Sequence, residues 1–305
     1  MDVMTLHQRT VAEWTARLAE VRDDQWDAVT PCTEWTVRDL VNHVAGEDRW
    51  MVPLLRGRTI DDVGDSLDGD LLGTEPAAAA RTAAGDAVAE VVARVPDGGK
   101  VHLSYGDEAV EEYVMQVAAD HLIHGWDLAA ATGGDTRLDA TLVAEVSRWF
   151  VDREELYRAG GAIGPRQSAA DDPGVALLAA FGRDAGWTPD HATLARFSAA
   201  FGRGDVDEVM RLMTEDCVFE STSPAPDGVR VEGAAAVRAT FEELFGSTRD
   251  ATFAAEESFV AGDRAVLRWR FSWSEADGLP GQVRGVDVLR LRNGLVAEKL
   301  SYVKG

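Results

Sequence analysis

The sequence predicts a multidomain protein in which an all-α four-helix bundle is followed by an α+β domain, a curved antiparallel sheet packed on helices. The chain has 305 residues, a length that favours two domains. Hydrophobic residues make up 46% of it, which is enough for two cores and too many for a disordered chain. The period of the apolar residues also changes, from a helical period in residues 1–187 to alternation in the later part of residues 188–305.

Charge and composition exclude several classes of function. The chain carries 53 acidic and 30 basic side chains, a net charge of −23, which argues against duplex nucleic acid and anionic membranes as partners. The first ten residues lack a basic segment followed by an apolar run, and no stretch of 18 apolar residues occurs. The two cysteines, Cys32 and Cys217, lie too far apart in sequence for a disulfide framework. We therefore expect a soluble cytoplasmic protein.

The first two helices are predicted by apolar spacing and by a start signal. The apolar face of the first helix recurs at spacings of three and four, at Val11, Trp14, Leu18 and Val21. After a turn at Pro31 and Cys32, the segment Thr36-Val37-Arg38-Asp39 has the form of a capping box. It predicts a second helix whose apolar face consists of Val37, Leu40, Val41 and Val44.

Three further helices complete the first domain. A Gly- and Asp-rich connection, Gly57 to Gly73, precedes them. They are predicted at about 76–95, from about Glu108 to Thr132, and from near Asp139 to before Gly160. Gly133-Gly134 ends the fourth helix where a C-terminal glycine belongs. Few strand-like runs interrupt this half, so a four-helix bundle with additions is the natural architecture.

The second domain is predicted to begin near Trp187–Pro189, after a segment rich in Gly, Pro and Asp. Its helices are expected at about 190–202, 205–214 and 234–245. Two strands with period two follow. One face of the first carries Leu267, Trp269, Phe271 and Trp273. One face of the second carries Val283, Gly285, Asp287, Leu289 and Leu291. Asn293-Gly294 is a strong hairpin signal that leads into Leu295–Val303. Helices followed by a meander predict an α+β domain.

Histidines on the fourth helix suggest a metal site. His121 and His124 lie on an otherwise apolar stripe, so their imidazoles should point into the bundle. Asp120 precedes His124 by one turn, and a carboxylate and an imidazole at this spacing can bind one ion. A third ligand must come from another helix, and His43 flanks the apolar face of the second helix. Two nitrogens and one oxygen leave a coordination position open, as in catalytic zinc sites, although ferrous iron suits the same ligands.

Spacing alone leaves two alternatives open. His121 and His124 would be hydrogen-bonded core residues in one, with Asp120 a solvated residue on the flank of the helix. In the other, His121-x-x-His124 would be the ligand pair.

The motifs of the first domain resemble a known family. They are Pro31-Cys32-Thr33-Glu34-Trp35 continuing to His43, Asp120-x-x-x-His124-Gly125-Trp126-Asp127, and the closing Phe181-Gly182-Arg183-Asp184. Over most of residues 4–187 the chain resembles the DinB-like superfamily, and more narrowly the metal-binding domain of mycothiol-dependent maleylpyruvate isomerases. The resemblance implies a helical bundle with a divalent metal, expected to be zinc, held by His43, Asp120 and His124. The isomerases resemble a Glu-x-x-x-His pattern at this position, whereas this chain has Asp120 in place of the glutamate. The function of this chain therefore need not follow that of the isomerases.

The resemblance implies thiol chemistry. A metal with an open position can hold a low-molecular-weight thiol, here mycothiol, as the nucleophilic thiolate. The thiolate would attack an electrophilic carbon of a small-molecule substrate and give a transferred or isomerised product. Cys32 could be taken for the nucleophile or for a ligand. We interpret it as a structural turn cysteine, because the family motif carries it ahead of the helix.

Residues 189–305 resemble the SnoaL-like, nuclear transport factor 2-like fold. The residues that carry the resemblance include Phe201-x-x-Gly204-Asp205, Asp216-Cys217-Val218-Phe219-Glu220, Gly233-x-x-x-Val237-Arg238 and Gly285-Val286-Asp287. The family is a helix-backed cone with a ligand pocket, and the resemblance implies that Asp287 is an acid/base residue. Glu220, Trp269 and Tyr302 are expected as substrate-binding neighbours. The alternative is that Asp287 only accepts hydrogen bonds, and a homodimer is expected by analogy.

Three functions follow from these expectations. The first is a zinc-dependent, mycothiol-dependent transferase or isomerase in the helical domain. The second is a non-catalytic protein that binds a small molecule. The third is a cyclase or hydratase that uses Asp287, with the bundle as its partner.

Overall fold

The computed structural model describes residues 1–168, 171–247, 252–274 and 280–304. The chain forms two compact units, Met1–Trp187 and Thr188–Gly305. No helix in the described ranges combines the length and the apolar character that a bilayer crossing needs.

The first unit is helical, and four of its helices form a bundle. Its helices are α1 (Val3–Leu18), α2 (Val37–Leu55), α3 (Ile60–Val63), α4 (Pro76–Arg94), α5 (Val110–Thr132), α6 (Ala140–Phe150), α7 (Glu154–Ala159) and α8 (Pro173–Ala180). Helices α1, α2, α4 and α5 pack on one another. Their shared core includes the fully buried Trp14, Leu40, Val44 and Leu128. Burial of these apolar faces holds the bundle together.

The structure confirms the predicted ends of two bundle helices. The Thr36 side chain accepts a hydrogen bond from the backbone of Asp39, and the Asp39 carboxylate accepts one from the backbone of Thr36. This capping box satisfies two backbone donors that the first turn of α2 leaves free. Gly133 ends α5 in the left-handed conformation, with a φ of 73°.

Two features of the first unit differ from the prediction. The segment between α4 and α5 forms a hairpin of β1 (Lys100–Leu103) and β2 (Gly106–Ala109), whose four-residue strands are too short to show a period. The expected fifth helix is broken into α6 and α7. At the break, Arg153 donates hydrogen bonds to the Trp149 carbonyl and to the Glu112 carboxylate, so the chain turns instead of continuing as a helix.

The second unit is α+β with a curved, mixed sheet. Its elements are α9 (Pro189–Gly202), α10 (Val206–Arg211), β3 (Met213–Glu220), β4 (Arg230–Glu232), α11 (Ala234–Ser247), β5 (Thr252–Ala261), β6 (Arg264–Ser274), β7 (Pro280–Arg292) and β8 (Leu295–Val303). The strand order is β4-β3-β8-β7-β6-β5. The β3–β8 pair is parallel and the other pairs are antiparallel, so the expected all-antiparallel sheet is mixed.

The predicted meander of β6, β7 and β8 is confirmed. Asn293 and Gly294 both have positive φ, 55° and 74°, as a tight hairpin turn between twisted strands requires. The sequence did not predict β5. That strand lies at the edge of the sheet and is interrupted by a bulge between Ala255 and Glu257, which breaks the alternation of its side chains.

A buried ion pair lies on the inner face of this sheet. Asp287 on β7 is 0% exposed and Lys299 on β8 is 3% exposed, and Lys299 Nζ lies 2.9 Å from Asp287 Oδ2. The Ser301 hydroxyl donates a hydrogen bond to Asp287 Oδ1 at 2.7 Å. The ammonium group also lies over the rings of Phe201 and Phe219, at 4.8 and 5.0 Å from their centroids. Each charge therefore depends on the other for its compensation.

We expect Lys299→Met to lower the free energy of unfolding by about 3–5 kcal/mol, because it leaves the Asp287 carboxylate buried without its cation. The double variant Lys299→Met/Asp287→Leu should recover most of this loss, since no uncompensated charge remains. Denaturant unfolding followed by circular dichroism measures both. Arg238→Met, which breaks a surface pair with Asp207, is the control and should change stability by less than about 1 kcal/mol. Equal stability of Lys299→Met and the parent would contradict this account.

Candidate metal centre

The three predicted metal ligands lie on the wall of one cavity in the first unit. The cavity has a volume of about 800 Å³ and is lined by residues of α2 and α5 and of the turn before α2. His43 comes from α2, and Asp120 and His124 come from α5. Two neighbouring helices of the bundle therefore bring the three predicted ligand residues together.

Each oxygen of Asp120 lies about as far from one histidine nitrogen as two ligands of a tetrahedral ion lie from each other. Asp120 Oδ2 lies 3.4 Å from His43 Nε2, and Asp120 Oδ1 lies 3.3 Å from His124 Nε2. Ligand atoms about 2.1 Å from a four-coordinate zinc ion are about 3.4 Å from one another. Asp120 Oδ2 is buried and accepts no well-directed hydrogen bond, so it lacks the partner that a cation would provide. The residues present therefore fit a divalent metal.

A second carboxylate fixes the orientation of His124. Asp127 Oδ2 lies 2.9 Å from His124 Nδ1, and because a carboxylate only accepts, Nδ1 is the donor. Arg183 in turn donates from Nε to Asp127 Oδ1 and from Nη2 to Asp127 Oδ2, both at 2.9 Å. This hydrogen bond leaves His124 Nε2 directed at Asp120, which is the arrangement that metal-binding histidines commonly have.

The ionisable groups around the cavity strongly shift one another's pKa. Burial alone would raise the pKa of the Asp120 carboxyl, but the imidazoles of His124 and His43 hold it well below its ordinary value. Burial alone would lower the pKa of His124, but Asp120 and Asp127 raise it well above its ordinary value. Glu47 also lines the cavity, and burial and the nearby Asp120 raise the pKa of its carboxyl. The number of acidic side chains at the cavity favours the binding of a cation there.

Cys32 is held in the turn before α2. Its thiol donates to Asp127 Oδ2 at 3.4 Å, and Arg183 Nη2 donates to its sulfur at 3.2 Å. These contacts join the turn to α5, which agrees with the interpretation of Cys32 as a structural residue.

His121 belongs to a different cluster from His43 and His124. Its Nε2 lies 3.2 Å from Asp48 Oδ1, and its ring lies edge-on to that of His7 at 5.7 Å between centroids. The structure thus brings Asp120 and His124 together with His43 and places His121 in the bundle core.

Sequence reasoning missed the acidic residues Glu47 and Asp48 and the buried His7. Glu47 lies one helical turn after His43, and that spacing was the available signal. Asp127 and Arg183 lay within the family motifs, but nothing in their spacing showed that they meet.

The residues singled out in the second unit do not form one site. Asp287 and Trp269 face the inner side of the sheet, where Trp269 is 5% exposed and packs on Phe253. Tyr302 follows the inward-facing Ser301 on β8, is 50% exposed and lines a groove on the outer face. Glu220 follows the buried Phe219 on β3 and also faces outward, 3.7 Å from Arg230. Alternation along each strand therefore separates Glu220 and Tyr302 from Asp287.

Comparisons with known proteins divide the chain in the same way. Residues 7–129 match the family model of the mycothiol maleylpyruvate isomerase N-terminal domain. Residues 194–299 match the family model of the SnoaL-like domain.

Individual relatives cover part of the chain. Two uncharacterized proteins from Mycobacterium tuberculosis, strains CDC 1551 and H37Rv, are each 35% identical over 151 residues, which is 48% of this chain and 75% of theirs. The crystal structure of an NTF2-like protein of unknown function from Mesorhizobium loti is 38% identical and covers 38% of this chain and 92% of that one, with a TM-score of 0.34. An NTF2-like protein of unknown function from Burkholderia pseudomallei is 20% identical, over 39% of this chain and 92% of that one, with a TM-score of 0.35.

We expect Asp127→Asn to weaken zinc binding by about 10–100-fold, because the neutral amide no longer holds His124 as the carboxylate does. Competition with a chromophoric zinc chelator measures the affinity. Asp135→Asn is the matched control, since it breaks a carboxylate–arginine pair with Arg137 on the surface of the same unit. If both variants bound zinc as the parent does, Asp127 would have no part in orienting the ligand.

Proposed function

We propose that this chain is a divalent-metal-dependent enzyme, because it belongs through residues 7–129 to the family of the mycothiol maleylpyruvate isomerase N-terminal domain. It also carries a SnoaL-like domain at residues 194–299. It would use mycothiol, or another low-molecular-weight thiol, as a transferase or isomerase of a small electrophilic substrate. The metal would be zinc. A cytoplasmic location would suit a reduced thiol.

One observation carries the proposal. His43, Asp120 and His124 place their donor atoms within 4.8 Å of one another at the wall of a cavity that has room for a thiol and an electrophile. Three ligands from the chain leave a position for an exchangeable ligand, which is how catalytic zinc sites differ from structural ones.

The residues of the chain have distinct tasks in this proposal. A divalent ion, when bound, would supply the positive charge that keeps a coordinating thiol in its thiolate form. His43, Asp120 and His124 would hold it, and Asp127 and Arg183 would keep His124 in place. The thiolate sulfur would form a bond to an electrophilic carbon of a substrate held by the cavity, and the electron pair displaced from that carbon would pass to an adjacent carbonyl or depart with a leaving group. Return of the pair with expulsion of the thiolate would give an isomer. Loss of the leaving group, or protonation of the adduct, would leave a thioether as the transfer product.

The cavity wall favours an uncharged substrate. Among the described lining residues, Arg183 is the one guanidinium or ammonium group, and its charge is neutralised by Asp127. The charge of a divalent ion would be balanced by the carboxylates of Asp120 and Glu47. The remaining wall includes aromatic side chains, among them Trp35, Trp149, Tyr157 and Phe181.

The proposal places the chemistry in the first unit. Asp287 is fully buried and is compensated by Lys299 and Ser301, which favours a structural role over that of a cyclase or hydratase residue. Asp120, by contrast, lines a cavity together with His43 and His124.

We expect His43→Gln to remove one zinc ion per chain and to reduce thiol-dependent turnover at least about 100-fold, because two ligands hold zinc far more weakly than three. Inductively coupled plasma mass spectrometry gives the zinc content, and mycothiol consumption with a panel of electrophiles gives the turnover. The half-buried His43 should leave the fold intact, which circular dichroism checks. The control is His102→Gln, which changes a half-buried histidine that is paired with Asp107. Unchanged zinc content and turnover in His43→Gln would refute the proposal.

The proposed substrate charge has its own test. An electrophile offered as a neutral amide should react with a higher kcat/KM than the same electrophile as a free carboxylate, by at least about tenfold, since the cavity supplies no free cation to pair with an anion. Each rate is divided by the uncatalysed rate with the same thiol, which removes the difference in intrinsic reactivity. A preference for the carboxylate would show that the substrate is anionic.

A further inference from the structure

A second cluster of metal-binding side chains lies in the core of the helical bundle. It consists of His7 on α1, Asp48 on α2 and His121 on α5, which we call the core triad. All three are at most 1% exposed. The proposed thiol chemistry uses none of them.

The donor atoms of the core triad converge. One from each residue lies within 4.8 Å of the others. His121 Nε2 lies 3.2 and 3.4 Å from the two Asp48 oxygens. His121 Nδ1 lies 2.9 Å from the Val117 carbonyl, so Nδ1 donates there and Nε2 remains directed at Asp48. A histidine held by a backbone carbonyl in this way is prepared for a metal on its other nitrogen.

The ring nitrogens of His7 lack hydrogen-bond partners, and both are buried. Asp48 Oδ1 has His121 Nε2 at 3.2 Å but accepts no well-directed hydrogen bond. At least one nitrogen of a neutral imidazole carries a lone pair, so a buried ring with no hydrogen-bond partner can offer it to a metal ion. Unpartnered polar atoms in a core are costly, and native proteins generally give them a partner.

We propose that the core triad is a second divalent-metal site, with one nitrogen of His7, Asp48 Oδ1 and His121 Nε2 as its ligands. Two imidazoles and one carboxylate are the donor set that suits zinc or ferrous iron. Binding releases to solvent any proton that His121 carries. The ion would tie α1 to α2 and α5 away from the substrate cavity, and the burial of all three ligands would keep a substrate from its remaining coordination position.

Both sites draw on α2 and α5, and the core triad also draws on α1, but they use different residues. Asp120 and His121 are consecutive on α5, so their side chains diverge by about 100° around the helix axis. Variants can therefore empty one site and leave the ligands of the other in place. The proposal for the core triad does not depend on the proposed function.

The test is the zinc content of the full chain, expressed with added zinc and measured by inductively coupled plasma mass spectrometry. We expect two ions per chain in the parent, one in His7→Leu, one in His43→Gln and none in the double variant. His102→Leu, which changes a half-buried histidine outside both clusters, should keep two ions. A His7→Leu variant that holds as much zinc as the parent overturns the proposal. Loss of zinc in His7→Leu but not in His43→Gln would support the core triad while refuting the catalytic site.

Thermal unfolding distinguishes a metal-bound His7 from an unpartnered one, because the two predict opposite shifts of the melting temperature in His7→Leu. With a metal at the core triad, His7→Leu lowers the melting temperature of the zinc-loaded chain. If His7 is only an unpartnered imidazole or binds a buried water, leucine of similar volume removes the cost of burying the polar ring and raises the melting temperature. That result would contradict the proposal. If His7→Leu does not fold, anomalous diffraction at the zinc edge from parent crystals decides. A peak between His7 and His121 is expected, and its absence overturns the proposal.

Discussion

The candidate metal centre depends on one buried carboxylate, that of Asp127. Burial alone would raise its pKa, but the Arg183 guanidinium and the His124 imidazole hold the pKa below its ordinary value, so the group stays charged. A charge without access to water needs all of its acceptor sites filled, and here His124, Arg183 and Cys32 fill them. These partners come from α5, from the segment after α8 and from the turn before α2. One electrostatic requirement thus draws three distant parts of the chain around the cavity.

Helix α5 carries this arrangement because it is buried on almost every side. A helix with an all-round apolar surface belongs in a core, where each polar side chain must find a specific partner. Asp120, His121 and His124 lie within little more than one turn of it, and they point to two different neighbours. His124 and Asp120 meet His43 at the cavity, whereas His121 meets Asp48 and His7 inside the bundle. The single turn therefore divides its polar residues between a surface-accessible cluster and an inaccessible one.

The sequence predicted the parts of this structure that local spacing controls. The helices of the bundle, the capping box at Thr36 and the pairing of Asp120 with His124 depend on residues three or four apart. The contacts of Arg183 with Asp127, and of His7 with His121, join residues more than 50 positions apart, and no local pattern encodes them. Alternation in a strand is equally local, but the assignment of one face to the interior needs the whole sheet. For that reason Ser301, and not the neighbouring Tyr302, is the partner of Asp287.

The two units show how a buried charge with a structural role differs from one prepared for a ligand. Asp287 has the Lys299 ammonium 2.9 Å from one oxygen and the Ser301 hydroxyl on the other, so its charge is compensated within its own unit. The oxygens of Asp120 lie 3.3 and 3.4 Å from the imidazoles of His124 and His43, which can themselves bind a metal ion, and Asp120 lines the cavity. A carboxylate paired with a permanent cation inside the core has a structural role, whereas one that faces imidazoles at a cavity can accept an external ion. By this criterion the proposed chemistry belongs to the helical unit.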